Sequence, residues 1–208
     1  MLFFSLLFIL SCKQENKSFA SANSEVDTAK ILVTDNWQEG FGLTHNPEVD
    51  SVWGKPVAFY LNQERCDETA MNFYFGKYRP MDEPETARLL ELVTTDNDSL
   101  RPFYRWILNK TILIQDGALG EYTGVPARGY AEKFPSEFFE YMDYDKSGQK
   151  YSDWVNAILY SGFYEKEIDN QENISHNLHK TMLKNCTDCS PELKKRIEKF
   201  STDCFPNN

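Results

Sequence analysis

Apolar positions recur at helical spacing along most of this chain, and runs that alternate apolar with polar residues are nearly absent. The cleanest case is the last one: Leu193, Ile197 and Phe200 share a face while Lys194, Lys195 and Lys199 lie elsewhere, which predicts an amphipathic helix. Residues 172–185 repeat the pattern, with Ile174, Leu178 and Met182 marking the buried side. Leu100–Ile114 is apolar on more than one side, since Phe103, Ile107 and Ile114 form one stripe and Tyr104, Leu108 and Ile112 another, so this segment predicts the central helix. Further helices are expected at about 84–94, 118–133, 136–142 and 151–160. Proline at the first helical position supplies the punctuation, in Asn46-Pro47-Glu48, Glu83-Pro84-Glu85, Phe134-Pro135-Ser136-Glu137 and Ser190-Pro191-Glu192. The expected fold is all-α, a compact bundle of about seven short helices, with a small helical solenoid as the second arrangement. The segment 31–62 is irregular by comparison: Ile31-Leu32-Val33 and Val57–Leu61 fit short strands and buried helical turns equally.

Residues 1–11, MLFFSLLFILS, are almost wholly apolar but about half the length a membrane-crossing helix needs, which suits a signal sequence. Their end, Ile9-Leu10-Ser11-Cys12, resembles the bacterial lipobox, although no Lys or Arg precedes the run and Leu10 is bulky for its place. The resemblance implies cleavage before Cys12, lipidation of that cysteine and anchorage of the mature chain in a lipid bilayer. A polar stretch follows, with the composition of a flexible tether. Its start, Lys13-Gln14-Glu15, is similar to the export signals of Bacteroidetes surface lipoproteins. The expected organisation is a signal at 1–11, a tether at 12–30 and one helical domain at 31–208. The expected location is the cell envelope, at the periplasmic face or the outer surface of the outer membrane.

Outside the reducing cytosol, the four remaining cysteines, Cys66, Cys186, Cys189 and Cys204, predict two disulfides. Cys186 and Cys189 fall in the corner before the helix that opens at Pro191, so one local and one long-range bridge are expected. That corner is similar to the Cys-x-x-Cys corner of insect chemosensory proteins, a likeness confined to these residues. A redox pair would want a thioredoxin-like strand and helix, and a zinc site a second close cysteine pair; the sequence supplies neither.

The chain is long enough to bury a core, and its 15 Phe, 11 Tyr and 4 Trp predict an aromatic one whose Tyr and Trp polar ends need partners. Its formal charge is -10. Such a surface disfavours nucleic acid and anionic headgroups and favours basic partners and cations.

Among motifs, Asp143-Tyr144-Asp145-Lys146-Ser147-Gly148 resembles the first half of an EF-hand calcium loop, with oxygen donors at the first, third and fifth positions and Gly at the sixth. The eighth position is Lys150 in place of an aliphatic residue, and the twelfth is Trp154 in place of the bidentate Glu. The alternative is a solvated turn in which Asp145, Ser147 and Gly148 satisfy their own backbone. His176 and His179 stand three apart on a predicted helix, with Glu172 near, a spacing able to converge on a metal. The glycines at 117, 120 and 124 lack the Gly-Lys-Ser/Thr of a phosphate loop and fit close helix packing or a tight bend instead. Arg128 nearby is placed to pair with a carboxylate. Neither Gly-x-Ser-x-Gly nor His-Glu-x-x-His occurs.

The functional expectation is a lipid-anchored protein that binds a protein or peptide partner of basic character, with no catalytic residue identified. The alternatives are a calcium-binding module at 143–154 using Asp143, Asp145 and Ser147, and a hydrolase of envelope polymers working through a carboxylate pair. The calcium reading predicts that added calcium raises the melting temperature and that Asp143→Ala abolishes the rise; a melting curve unmoved by calcium removes it.

Overall fold

Residues 36–164 and 171–206 are described by a computed structural model. The lipobox with Cys12, the tether and Ile31–Val33 lie outside the described residues. After a run of turns comes a two-stranded antiparallel hairpin, β1 (Ser51–Val52) and β2 (Lys55–Pro56). Nine helices follow among the described residues: α1 (Val57–Leu61), α2 (Glu68–Tyr74), α3 (Pro84–Glu91), α4 (Arg101–Ile114), α5 (Gly117–Lys133), α6 (Pro135–Asp143), α7 (Gln149–Ser161), α8 (Gln171–Lys184) and α9 (Pro191–Cys204). The all-α expectation holds, and every helix expected beyond residue 83 is present.

Local chemistry starts these helices. Asp67 caps α2 by accepting from the amides of Thr69 and Ala70, at 2.8 and 3.2 Å, and Asp116 and Ser190 cap α5 and α9 in the same way. Pro84, Pro135 and Pro191 open their helices as expected. Asn46-Pro47-Glu48 does not open one. Its turn closes on itself, with the Asp50 amide donating to the Asn46 carbonyl at 2.9 Å, and the Asp50 carboxylate is drawn back to Thr44 and to the Tyr74 hydroxyl. The chain is thereby aimed into the hairpin. Val57–Leu61, open between strand and helix in the sequence, is helical.

The core is aromatic, as composition suggested. Tyr60 stacks on Phe103 with ring centroids 5.4 Å apart, and Phe138 packs against Trp154, Tyr130 and Phe200. The polar ends find partners: the Trp154 indole donates to Asn109 at 2.9 Å, and the Tyr60 hydroxyl to the Val52 carbonyl at 2.8 Å. Phe103, Tyr104, Ile107, Leu108 and Ile112 are all buried, so α4 is enclosed on both predicted stripes, whereas Ile114 is only partly covered.

α4 shares the centre with α5, which packs against α3, α4, α6, α7 and α8. By propensity α5 is a poor helix: Gly120, Gly124, Gly129 and Pro126 inside it cost about 6 kcal/mol relative to alanine. Its small residues are what let neighbours close on it. A Cβ built on Gly124 would stand 2.7 Å from the Ala157 carbonyl and 2.9 Å from the Ser161 amide, both backbone atoms of α7. The expected close packing is therefore present, and the passage around Gly124-Val125-Pro126 runs through as helix.

Gly124→Ala pushes α5 off α7, and is expected to destabilise the fold by about 1–3 kcal/mol. Chemical denaturation checks this; an unchanged midpoint would mean that α7 yields freely.

Candidate functional site

Asp143 ends α6, and residues 144–148 form the turn between α6 and α7. The Asp145 carboxylate accepts from the Ser147 amide and hydroxyl at 2.9 and 2.7 Å and from the Lys150 amide at 2.8 Å. These bonds hold its pKa down to about 2, the Lys150 amide contributing most. Gly148 turns the chain with φ +76°, a left-handed conformation that glycine adopts without strain. Asp143 points elsewhere, bound by both terminal nitrogens of Arg196 on α9 at 2.9 and 2.6 Å. The structure thus brings Asp145 and Ser147 together around the start of α7 and assigns Asp143 to a cross-helix ion pair. Among the described residues no group of three or more His, Cys, Asp or Glu side chains stands close enough to hold a metal. On α8, Ile174, Leu178 and Met182 are buried as the spacing predicted, His176 is exposed and His179 half-buried.

Cys186 and Cys189 are joined, with Cα atoms 5.3 Å apart, stapling the corner between α8 and α9. The expected long-range bridge is not formed, and Cys66 and Cys204 are free thiols. They sit in different surroundings: Cys66 is beside Asp67 and Tyr104 near the start of α2, and Cys204 ends α9 beside Asp203 and Tyr151. Burial, with the neighbouring Asp67 carboxylate, pushes the Cys66 thiol up to about 11, and burial pushes Cys204 well above its ordinary range. Both stay protonated at neutral pH.

A cluster that the sequence reading missed lies in the core. Glu137 of α6 is shared by two arginines of α4: its Oε2 accepts from Arg101 Nε at 2.8 Å, and its Oε1 from Arg105 Nη1 at 2.9 Å and from the Tyr130 hydroxyl at 3.0 Å. Arg105 Nη1 also donates to the Tyr130 oxygen at 2.8 Å. Arg105 is 1% exposed. Its guanidinium carbon lies 4.4 Å from the Trp53 ring and 4.2 Å from that of Tyr141, with Tyr130 at 5.9 Å, so three aromatic rings stand around one cation. Lys150 reaches the outer side of Tyr141, 4.0 Å from the ring centroid. The only signal in the sequence is two arginines four apart in a helix predicted buried on two sides; the counterion and the rings come from other elements.

Two shallow apolar grooves flank α5. One, toward the end of α7, is lined by Gly117, Glu121, Tyr160 and Phe163; the other, toward α3, by Ala87, Glu91, Glu121, Tyr122, Val125 and Pro126. Glu121 borders both. Phe163 is 64% and Val125 49% exposed, so each groove has an apolar side chain open to contact. Arg128 pairs with Glu132 at 2.7 Å, as its position suggested.

Among the described residues, the carboxyls that depart from their ordinary range, Asp50, Asp96, Asp143 and Asp145, depart downward. Comparison with protein-family models, with curated proteins and with solved structures finds no match to this chain.

Because the folded Asp145 titrates near 2 and an unfolded one near 3.8, its contribution to stability is present above about 4 and is lost as pH falls toward 2. Asp145→Ala should lower the melting temperature by a few degrees at neutral pH. The gap to the parent protein should close on acidification over that window. A gap that persists at the acid end would show that the carboxylate charge is not what holds the turn.

Proposed function

We propose that this protein is a lipid-anchored, extracytoplasmic binding protein whose α5 surface docks a basic protein or peptide partner. The observation that carries the reading is the pair of apolar grooves on either side of α5, meeting at Glu121 and bordered by the exposed Glu91. Apolar floors with acidic edges suit a partner that presents apolar side chains among Lys and Arg. The formal charge of -10 adds long-range attraction for such a partner and raises its rate of encounter. The anchor is supported by the lipobox-like Ile9-Leu10-Ser11-Cys12 and by the polar stretch behind it, which suit a domain tethered to an envelope membrane. Tyr160, in the first groove, is of a residue type enriched at binding hot spots, where a few residues carry most of the affinity.

The test is capture of partners by the full chain, solubilised from the envelope of its own cells, with Val125→Asp and Phe163→Asp as controls. A basic protein should be retained, released by salt, and bound about tenfold more weakly by either variant. Retention unaffected by salt and by both substitutions would remove this surface from consideration.

A further inference from the structure

Among the described residues, Nε and Nη2 of Arg105 are the buried side-chain polar atoms without a hydrogen-bond partner. Leaving a buried charged donor unmatched is costly, so an orphan of this kind in a folded core calls for an explanation. The two atoms are not an arbitrary pair. Nη1 is committed to Glu137 and Tyr130, whereas Nε–H and Nη2–H lie along one edge of the planar guanidinium and point the same way. That edge is the side-on fork that takes both oxygens of a single carboxylate. What is unmatched is a complete recognition element.

Around the fork the cations outnumber the buried carboxylates. Arg101 and Arg105 share Glu137, and Lys150 flanks Tyr141; burial lowers the Lys150 pKa against the opposing pull of Asp145, with Arg105 and Lys110 adding to the lowering. Asp98, which also pairs with Arg101, is 85% exposed. The interior of a chain with net charge -10 therefore holds a local excess of positive charge.

The turn that carries the Trp53 ring over the Arg105 guanidinium is strained. Trp53 and Gly54 form the two-residue turn of the hairpin, with φ values of +50° and +74°. Left-handed φ suits glycine, but costs a bulky residue about 1 kcal/mol or more. Trp53 holds this conformation with one ring face toward Arg105 and with Tyr144, 76% exposed, 5.4 Å away on the rim. The strands that carry it are two residues each, so few backbone bonds hold the turn itself.

We infer that Arg105 is the anion-binding residue of a site for a small carboxylate with an aromatic or apolar body, covered by Trp53, which is displaced on entry. The carboxylate meets the Nε/Nη2 fork, and the body of the ligand packs against Tyr141 in the place that the Trp53 ring vacates. Aromatic walls favour such a ligand over strongly hydrated inorganic phosphate. The site is built on α4, α6 and the hairpin, and it does not depend on the α5 docking surface.

The experiment titrates the full chain with benzoate and with inorganic phosphate, followed by calorimetry and tryptophan fluorescence. Benzoate should bind saturably with one equivalent and change the fluorescence, with phosphate at least about tenfold weaker. Arg105→Lys keeps a cation for Glu137 but removes the fork, and should weaken benzoate at least about tenfold while the melting temperature stays within a few degrees. Trp53→Gly removes the cover and its strain; it should bind benzoate at least as tightly by calorimetry, with the fluorescence change lost. Should Arg105→Lys not fold, Trp53→Gly decides alone. No saturable benzoate heat in either the parent or Trp53→Gly overturns the inference, as does equal affinity in a folded Arg105→Lys, or phosphate binding as tightly as benzoate.

Discussion

Glu137 is one carboxylate answering two guanidinium groups, and the arrangement of the central helices follows from that imbalance. Arg101 and Arg105 are covalently fixed one turn apart on α4, so the carboxylate between them must come from outside, and it comes from the first turn of α6. Tyr130, three residues before the end of α5, contacts both the carboxylate and Arg105. Three helices are thereby pinned by groups that cannot be left alone in a low-dielectric interior: breaking such a pair by removing one side costs about 3–5 kcal/mol. Apolar packing alone would tolerate a helix sliding or rotating by a fraction of a turn. A shared carboxylate with directional bonds would not, so this polar knot sets the register between α4, α5 and α6 while the aromatic rings around it supply bulk.

The same knot explains why Trp53 is where it is. A hairpin too short to be stable on its own is fastened to the bundle by a ring placed against a guanidinium, by the hydroxyl of Tyr60 reaching the Val52 carbonyl, and by the Asp50 carboxylate gathering Thr44 and Tyr74. The irregular N-terminal part of the described chain is therefore organised by side chains more than by backbone pairing.

This difference decides what could be read from the sequence. The later helices were legible because each carries its own instructions: proline or a capping residue at the start, apolar spacing such as Leu193, Ile197 and Phe200, and a break at the end. Before residue 83 those instructions are weak. The helix 68–74 escaped notice although Asp67 is a good cap and Ala70, Phe73 and Tyr74 have helical spacing, because seven residues give periodicity too little room. Asn46-Pro47 misled for the opposite reason, being a genuine opening signal overruled by the distant demands of Asp50. The cysteines were half legible: a spacing of three places Cys186 by Cys189 in any tight corner, whereas pairing of Cys66 with Cys204 depends on where the fold carries each of them. The Arg105 cluster needed its counterion to be located in space. The grooves beside α5 are created by packing and have no linear signature.

The glycine and proline content of α5 bears on how the domain comes apart. A segment with so little inclination to coil by itself exists as a helix only while α3, α4, α6, α7 and α8 surround it, and they in turn lean on it. No subset of these elements would retain its shape once separated from the rest. Peeling a peripheral element from α5 should therefore propagate inward, so that fragments cut from the domain would be short-lived and unfolding would be close to all-or-none.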